Sequence, residues 1–255
     1  MTLRRNAGFY ILVIMKKAMI FIDGNNWYHN SKQVVDTKDI DFTKLTKFIC
    51  NSLSLECIEI RYYNSIPDIS ENALKYHQHM QFLNRLEKQD IKVFTRKLQK
   101  ASTQEILREK GKLIELLDLC QVCKPLVKQN CLDCIGIITK KEKGIDVKIA
   151  VDMIRKCLIE KVCEVCVLIS GDADFIPAMQ TIKDAGKEVV TACVSVGYSR
   201  ELRDGRFRYF YLKRQDLNQK CMKDYTETKK IDVDLIKQHK NSLADVKAGK
   251  IKRVA

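Results

Sequence analysis

Residues 18–22 form an unbroken apolar run, AMIFI, that stops at Asp23-Gly24 and two asparagines. A run this short and apolar on both faces reads as a strand covered from both sides, as in a parallel sheet, running into a turn. Such a strand cannot stand alone, so the rest of the chain must supply parallel partners and the helices that connect them. Residues 42–53 place Leu45, Phe48, Ile49 and Leu53 at helical spacing. Residues 58–66 are rich in β-formers and stop at Pro67, which predicts a second strand. Residues 70–88 read as a helix with Leu74, Phe82, Leu83 and Leu86 as core positions, and residues 91–95 as a short strand. In residues 145–159, Ile145, Ile149, Met153 and Cys157 share one helical face. Residues 162–170 read as a strand, 175–184 as a helix ended by Gly186, and 189–194 as a strand. A short helical piece over 198–203 and a last strand over 207–212 complete the pattern. This alternation predicts an α/β sandwich with a mostly parallel sheet.

The remaining segments set the domain limits. Residues 1–15 read as an N-terminal extension, since MKKAMIFIDG from Met15 begins a domain directly; the body spans 16–212. Residues 96–144 are polar, basic and irregular apart from an amphipathic piece at 106–119. Residues 213–255 have twice as many basic as acidic residues and read as a solvated tail with a helix over 233–239. The apolar run at 7–15 is too short to span a bilayer, so no membrane partner is expected. Eleven cysteines cannot all pair, and a reducing, cytoplasmic location is the expectation.

Three acidic motifs fall where a parallel sheet places its sites, outside the carboxyl ends of its strands. Asp23 follows the first strand in FIDGNN, Asp172 and Asp174 follow a later one in SGDADF, and Asp146 opens a helix in KGIDVKIAVDM. Each has a bland reading when taken singly: a turn residue, a helix-start carboxylate or a cap. Together in one crevice they would repel one another unless cations neutralised them. Mg²⁺ and Mn²⁺ take such oxygen ligands and can activate water against a phosphodiester. Asp152 lies six residues past Asp146, on another side of the helix, just before Arg155 and Lys156, and reads as their surface ion-pair partner.

FIDGNN, KGIDVKIAVDM and SGDADF, in this order, resemble the three motifs of the NYN family, the LabA-like branch of PIN-like nucleases. The resemblance covers about residues 18–195 and implies a PIN-like three-layer α/β/α sandwich with a metal-dependent ribonuclease site. It implies catalytic and Mg²⁺ or Mn²⁺ roles for Asp23, Asp146, Asp172 and Asp174, with Asn26 and Ser170 in support and Asp152 as a further metal ligand. Two other readings stay open. One is an RNA-binding regulator on the same fold without turnover. The other is a haloacid-dehalogenase-like phosphatase, which needs an aspartate where this chain has Asn25.

A second metal reading rests on Cys120-x2-Cys123 and Cys131-x2-Cys134. Paired CxxC units of this kind suit a four-thiolate structural Zn²⁺ site. The expectation is a small zinc-binding insertion at 118–137 with an exposed ribbon between the pairs. Cys163 and Cys166, in an apolar segment, read as core thiols. The formal charge of +14, from 46 basic and 32 acidic residues, points to a polyanion, with RNA, single-stranded, as the partner. The basic residues crowd the middle third, with Lys143 and Lys148 nearest the KGID motif and expected to contact substrate phosphates. Trp27 and Tyr28 could stack bases but read first as packing residues, and the four histidines show no metal spacing.

Overall fold

The computed structural model describes residues 2–6, 9–13, 15–67, 69, 72–97, 99–100, 103–130, 140–141 and 144–224. An antiparallel hairpin, β1 (Thr2–Asn6) and β2 (Phe9–Val13), precedes the body. The chain then runs β3 (Lys16–Asp23), α1 (Gly24–Ser31), α2 (Phe42–Leu53), β4 (Leu55–Ile66), α3 (Ala73–Glu87) and β5 (Lys92–Lys97). Next come the short antiparallel pair β6 (Gln99–Lys100) and β7 (Lys140–Lys141), with α4 (Thr103–Glu115) and α5 (Cys123–Asn130) between them. The last part is α6 (Ile145–Ile154), β8 (Val165–Ile169), α7 (Ile176–Asp184), β9 (Glu188–Cys193), β10 (Arg208–Tyr211) and α8 (Arg214–Lys220). Among the described residues no helix is long and apolar enough to cross a membrane.

Six strands form one all-parallel sheet in the order β10-β9-β8-β3-β4-β5. The chain builds outward from β3 through β4 to β5, returns to lay β8 against the other side of β3, and builds outward again. The direction of growth therefore reverses between β3 and β8, and the carboxyl ends of these two strands are where a sheet of this kind places its ligand crevice. Both of these central strands are almost wholly excluded from solvent, with no residue from Ala18 to Ile22 or from Val165 to Ile169 above 1% exposure.

Alternation along β3 divides the core into two layers. Ala18, Ile20 and Ile22 pack with Trp27, Phe42, Leu45 and Ile49, with Leu83 and Leu86 of α3, and with Leu217 of α8. Met19 and Phe21 pack on the other face with Ile145, Ile149 and Met153 of α6, and with Met179 and Ile182 of α7. The result is the three-layer α/β/α sandwich. Asp41 caps α2 by accepting from the Thr43 and Lys44 N–H groups, and Gly186 follows α7 at a φ of 79°.

Several local expectations are corrected. Leu74 is 68% exposed rather than core, because it lies in the first turn of α3, away from the face that carries Leu83 and Leu86. The stretch between the two CxxC units is helical from Cys123 to Asn130, not a ribbon. Residues 96–144 are less irregular than their composition suggests, since α4 buries Ile114. At the start of the segment expected to be a solvated tail, α8 buries Leu217, and Met222 bridges to Ile40. The helix expected over 233–239 lies outside the described residues.

Ile149 is fully buried beneath α6 and Val147 is 66% exposed on its outer side. We expect Ile149→Ala to cost about 2–5 kcal/mol in urea unfolding, through lost burial and a residual cavity. Val147→Ala should stay within about 0.5 kcal/mol of the parent chain.

Candidate active site

Asp23 ends β3 only 3% exposed, and a carboxylate buried there needs donors. One oxygen accepts from the Asn26 N–H at 3.1 Å, capping α1, and the other from the Ser170 hydroxyl at 3.1 Å. Ser170 is delivered by register: Ile22 pairs with Ile169, so the next residues of β3 and β8 emerge side by side. Asn26 then reaches back, its Oδ1 accepting from the Gly171 N–H at 2.8 Å and from the Asn30 side-chain amide at 2.9 Å. Gly171 is required by close approach, because a Cβ there would sit 2.6 Å from the Gly197 carbonyl oxygen. The motif residues Asp23, Asn26 and Ser170 thus form one hydrogen-bonded unit across the switch point. The charge of Asp23 is felt around it. Burial raises the Tyr62 phenol and pushes the Cys193 thiol up to about 12, and the Asp23 carboxylate adds to both shifts.

The turn after β8 carries the next two acids. The Asp172 N–H donates to Ser170 Oγ at 3.2 Å, and Asp172 Oδ1 caps the following turn by accepting from the Asp174 N–H at 3.0 Å. Asp172 is half-buried and Asp174 exposed, so both carboxylates stand at the mouth of the crevice. Asp146 stands exposed in the first turn of α6. Among the described residues no three histidine, cysteine, aspartate or glutamate side chains are grouped to hold a metal ion. The donor chemistry nevertheless fits Mg²⁺ or Mn²⁺: Asp172 and Asp174 offer carboxylate oxygens at a solvent-facing turn, and Mg²⁺ usually keeps several waters and takes only one or two protein carboxylates.

Asp152 occupies a different place from the surface expected for it. It is 6% exposed, and its carboxylate is held by Arg61 Nη1 at 3.1 Å, the Tyr63 hydroxyl at 2.9 Å and Lys148 Nζ at 3.1 Å. Arg155 and Lys156 pair instead with Glu160. The turn of α6 that carries Asp152 faces the sheet, and β4 places Arg61 and Tyr63 on that same face. Burial, reinforced by the Asp152 charge, raises the Tyr63 phenol, so it stays protonated and donates. Lys148 Nζ is thereby engaged by Asp152 and also lies 5.1 Å from the Phe94 ring centroid.

Cys120 and Cys123 are exposed, and the Cys123 N–H donates to Cys120 Sγ at 3.3 Å. Hydrogen bonds from the Cys123 backbone and thiol hold the Cys120 thiol below its ordinary pKa and raise that of Cys123. Cys131, Cys134 and Lys143 lie outside the described residues. Cys163 and Cys166 are buried core thiols. Trp27 is buried at 4% exposure against Phe42, whereas Tyr28 is 51% exposed, with His29 at its ring and Lys32 Nζ 5.5 Å from its centroid. Sequence reasoning missed Asn30, Arg61 and Tyr63. Asn30 carried a signal in its four-residue spacing from Asn26, but Arg61 and Tyr63 meet Asp152 across some ninety residues and carried none.

A family model described as the NYN domain matches residues 17–213. No curated protein and no solved structure matches the chain.

Removing one partner of a buried ion pair strands the other, so Asp152→Asn should lower stability by about 3 kcal/mol. The check is the urea midpoint against the parent chain, with Glu160→Gln, at an exposed ion pair, leaving it nearly unchanged.

Proposed function

We propose that this chain, which belongs to the NYN domain family, is a metal-dependent ribonuclease that hydrolyses RNA phosphodiester bonds at the crevice between β3 and β8. The family is PIN-like and carries nuclease-type, RNA-related functions. The observation that carries the reading is the Asp23–Ser170–Asn26 unit at the switch point, with Asp172 and Asp174 on the adjoining turn. Here the satisfied carboxylate sits beside two solvent-facing ones.

Asp23, Asp172, Asp174 and Asp146 are the residues that would hold Mg²⁺ or Mn²⁺, which when bound supplies an activated water and offsets charge on the phosphodiester. The chain's own part is preorganisation. Ser170 and Asn26 hold Asp23 in one orientation, and the Asp174 N–H holds one oxygen of Asp172 while no described residue engages the other. Side chains locked this way need no reorganisation when substrate arrives. The excess of positive charge draws the strand in, and a single strand is the substrate we expect. We read the chain as a member of the LabA-like branch that acts endonucleolytically, with the cytoplasm as its expected location. Cys120 and Cys123, with Cys131 and Cys134, would hold a structural Zn²⁺ in the insertion; an N–H directed at Cys120 Sγ is the contact that favours a thiolate there.

Purified full-length chain should cleave labelled single-stranded RNA with Mn²⁺ or Mg²⁺ and not with EDTA, and Asp172→Asn should abolish cleavage with the melting temperature retained. RNA bound but never cut by the parent chain would leave the non-catalytic regulator as the reading. Elemental analysis should find Zn²⁺ in protein purified without chelator and lose it in Cys131→Ser.

A further inference from the structure

The carboxyl end of β4 carries an unexplained group. Ser65 is 6% exposed, and its hydroxyl has no hydrogen-bond partner among the described residues. A buried hydroxyl without a partner costs free energy that a bound ligand can recover. Its surroundings indicate which ligand. Ser65 pairs in register with Arg96 of β5, so both side chains leave the same face of the sheet. That face is the one α6 covers: Tyr63, two residues before Ser65, reaches Asp152, and Phe94, two before Arg96, stacks on Tyr63 with centroids 5.0 Å apart.

Arg96 carries the charge. It is exposed and forms no ion pair among the described residues, in contrast to Arg61 and Lys92 earlier in the two strands, which both pair with Glu59. Its guanidinium carbon comes within 3.9 Å of where a Gly144 Cβ would lie, so it sits against the entry to α6. Gly144 is the N-cap of that helix, at a φ of 85°, and no side chain caps it. The first amides of an uncapped helix point outward without intrahelical acceptors and carry the positive end of the dipole. Asp146 in the same turn opposes an anion, so the full charge of Arg96 decides the balance.

We infer that Ser65, Arg96 and the start of α6 form a cradle for a backbone phosphate of the RNA strand, next to the carboxylates of the crevice. An amide-lined helix start, a forked guanidinium and a hydroxyl donor together match phosphate oxygens. The cradle rests on the ribonuclease reading for its substrate and adds a strand-positioning role. It binds a phosphate that is not cut, and so sets which bond reaches Asp23 and Asp172.

The test measures RNA binding and cleavage separately. In full-length Asp172→Asn protein, the affinity for a single-stranded oligonucleotide is measured across a salt series, with and without changes at the cradle. Arg96→Gln should weaken binding about tenfold and flatten the log–log salt slope by about 0.7, the value for one lost phosphate contact on a single strand. Arg96→Lys should keep the slope and lose part of the affinity, because the charge stays and the fork goes. Ser65→Ala should weaken binding with the slope unchanged; unchanged affinity in that variant would show that Arg96 acts through its charge alone and overturn the cradle. Equal affinity and slope in Arg96→Gln, or no RNA binding by the Asp172→Asn protein, overturns the cradle. Cleavage by the otherwise unaltered chain is scored independently: RNA held through Arg96 but never cut overturns the ribonuclease reading and leaves the cradle standing.

Discussion

A carboxylate buried at the end of a central strand must find donors or unfold the strand end around it. Asp23 finds one in the Ser170 hydroxyl on the neighbouring strand and one in the Asn26 N–H of its own helix start. These two bonds tie β3, β8 and α1 together at the place where the sheet changes its direction of growth. The arrangement is possible because both strands are apolar on both faces, so their register is held by packing on two sides. Asn26 completes the tie by accepting from the backbone after Ser170. The acids of the next turn inherit their position from it, since the Asp172 N–H rests on the same serine oxygen that serves Asp23.

The helix α6 works on two levels at once. Ile145, Ile149, Met153 and the following Cys157 seat it against the sheet, and Asp152 adds a buried ionic anchor to Arg61 and Lys148. The anchor costs desolvation, which the two cations and the hydrogen bond from the Tyr63 hydroxyl offset. With that end held, the other end presents Asp146, exposed in its first turn, and the Gly144 turn before it. Rigid seating of one end is what makes the position of the other reproducible, as a site built on a helix requires.

Charge is likewise divided by position. Lysines and arginines low on the sheet, such as Lys16, Arg61 and Lys92, meet Glu188 or Glu59 and are neutralised locally. Hydrogen bonds from Lys92 and Arg61 outweigh burial at Glu59 and hold its carboxyl below the usual range. At the carboxyl rim Arg96 has no such partner among the described residues. A net charge of +14 is therefore less informative than where the unpaired part of it stands.

Much of this molecule was legible in the chain itself. The apolar run into Asp23, the β-branched run into Ser170 and the four-residue spacing of Ile145, Ile149 and Met153 each report a local environment, and a local environment leaves a local pattern. The parallel order followed from the alternation of those patterns, and the FIDGNN and SGDADF motifs fall at the carboxyl ends of the two central strands, as read from the sequence. Tertiary structure alone decided the rest. Asp152 stood beside Arg155 and Lys156 in sequence, yet it pairs with Arg61 because helical phase turns it inward and β4 lies beneath. Leu74 matched its neighbours in type and still faces solvent. Trp27 and Tyr28 are adjacent, and one is buried while the other is exposed. Ser65 and Arg96 are neighbours only because β4 and β5 pair in one register, and Arg96 reaches the start of α6 from there. Contacts between segments distant in sequence depend on how layers pack, and no single segment carries the information that fixes them.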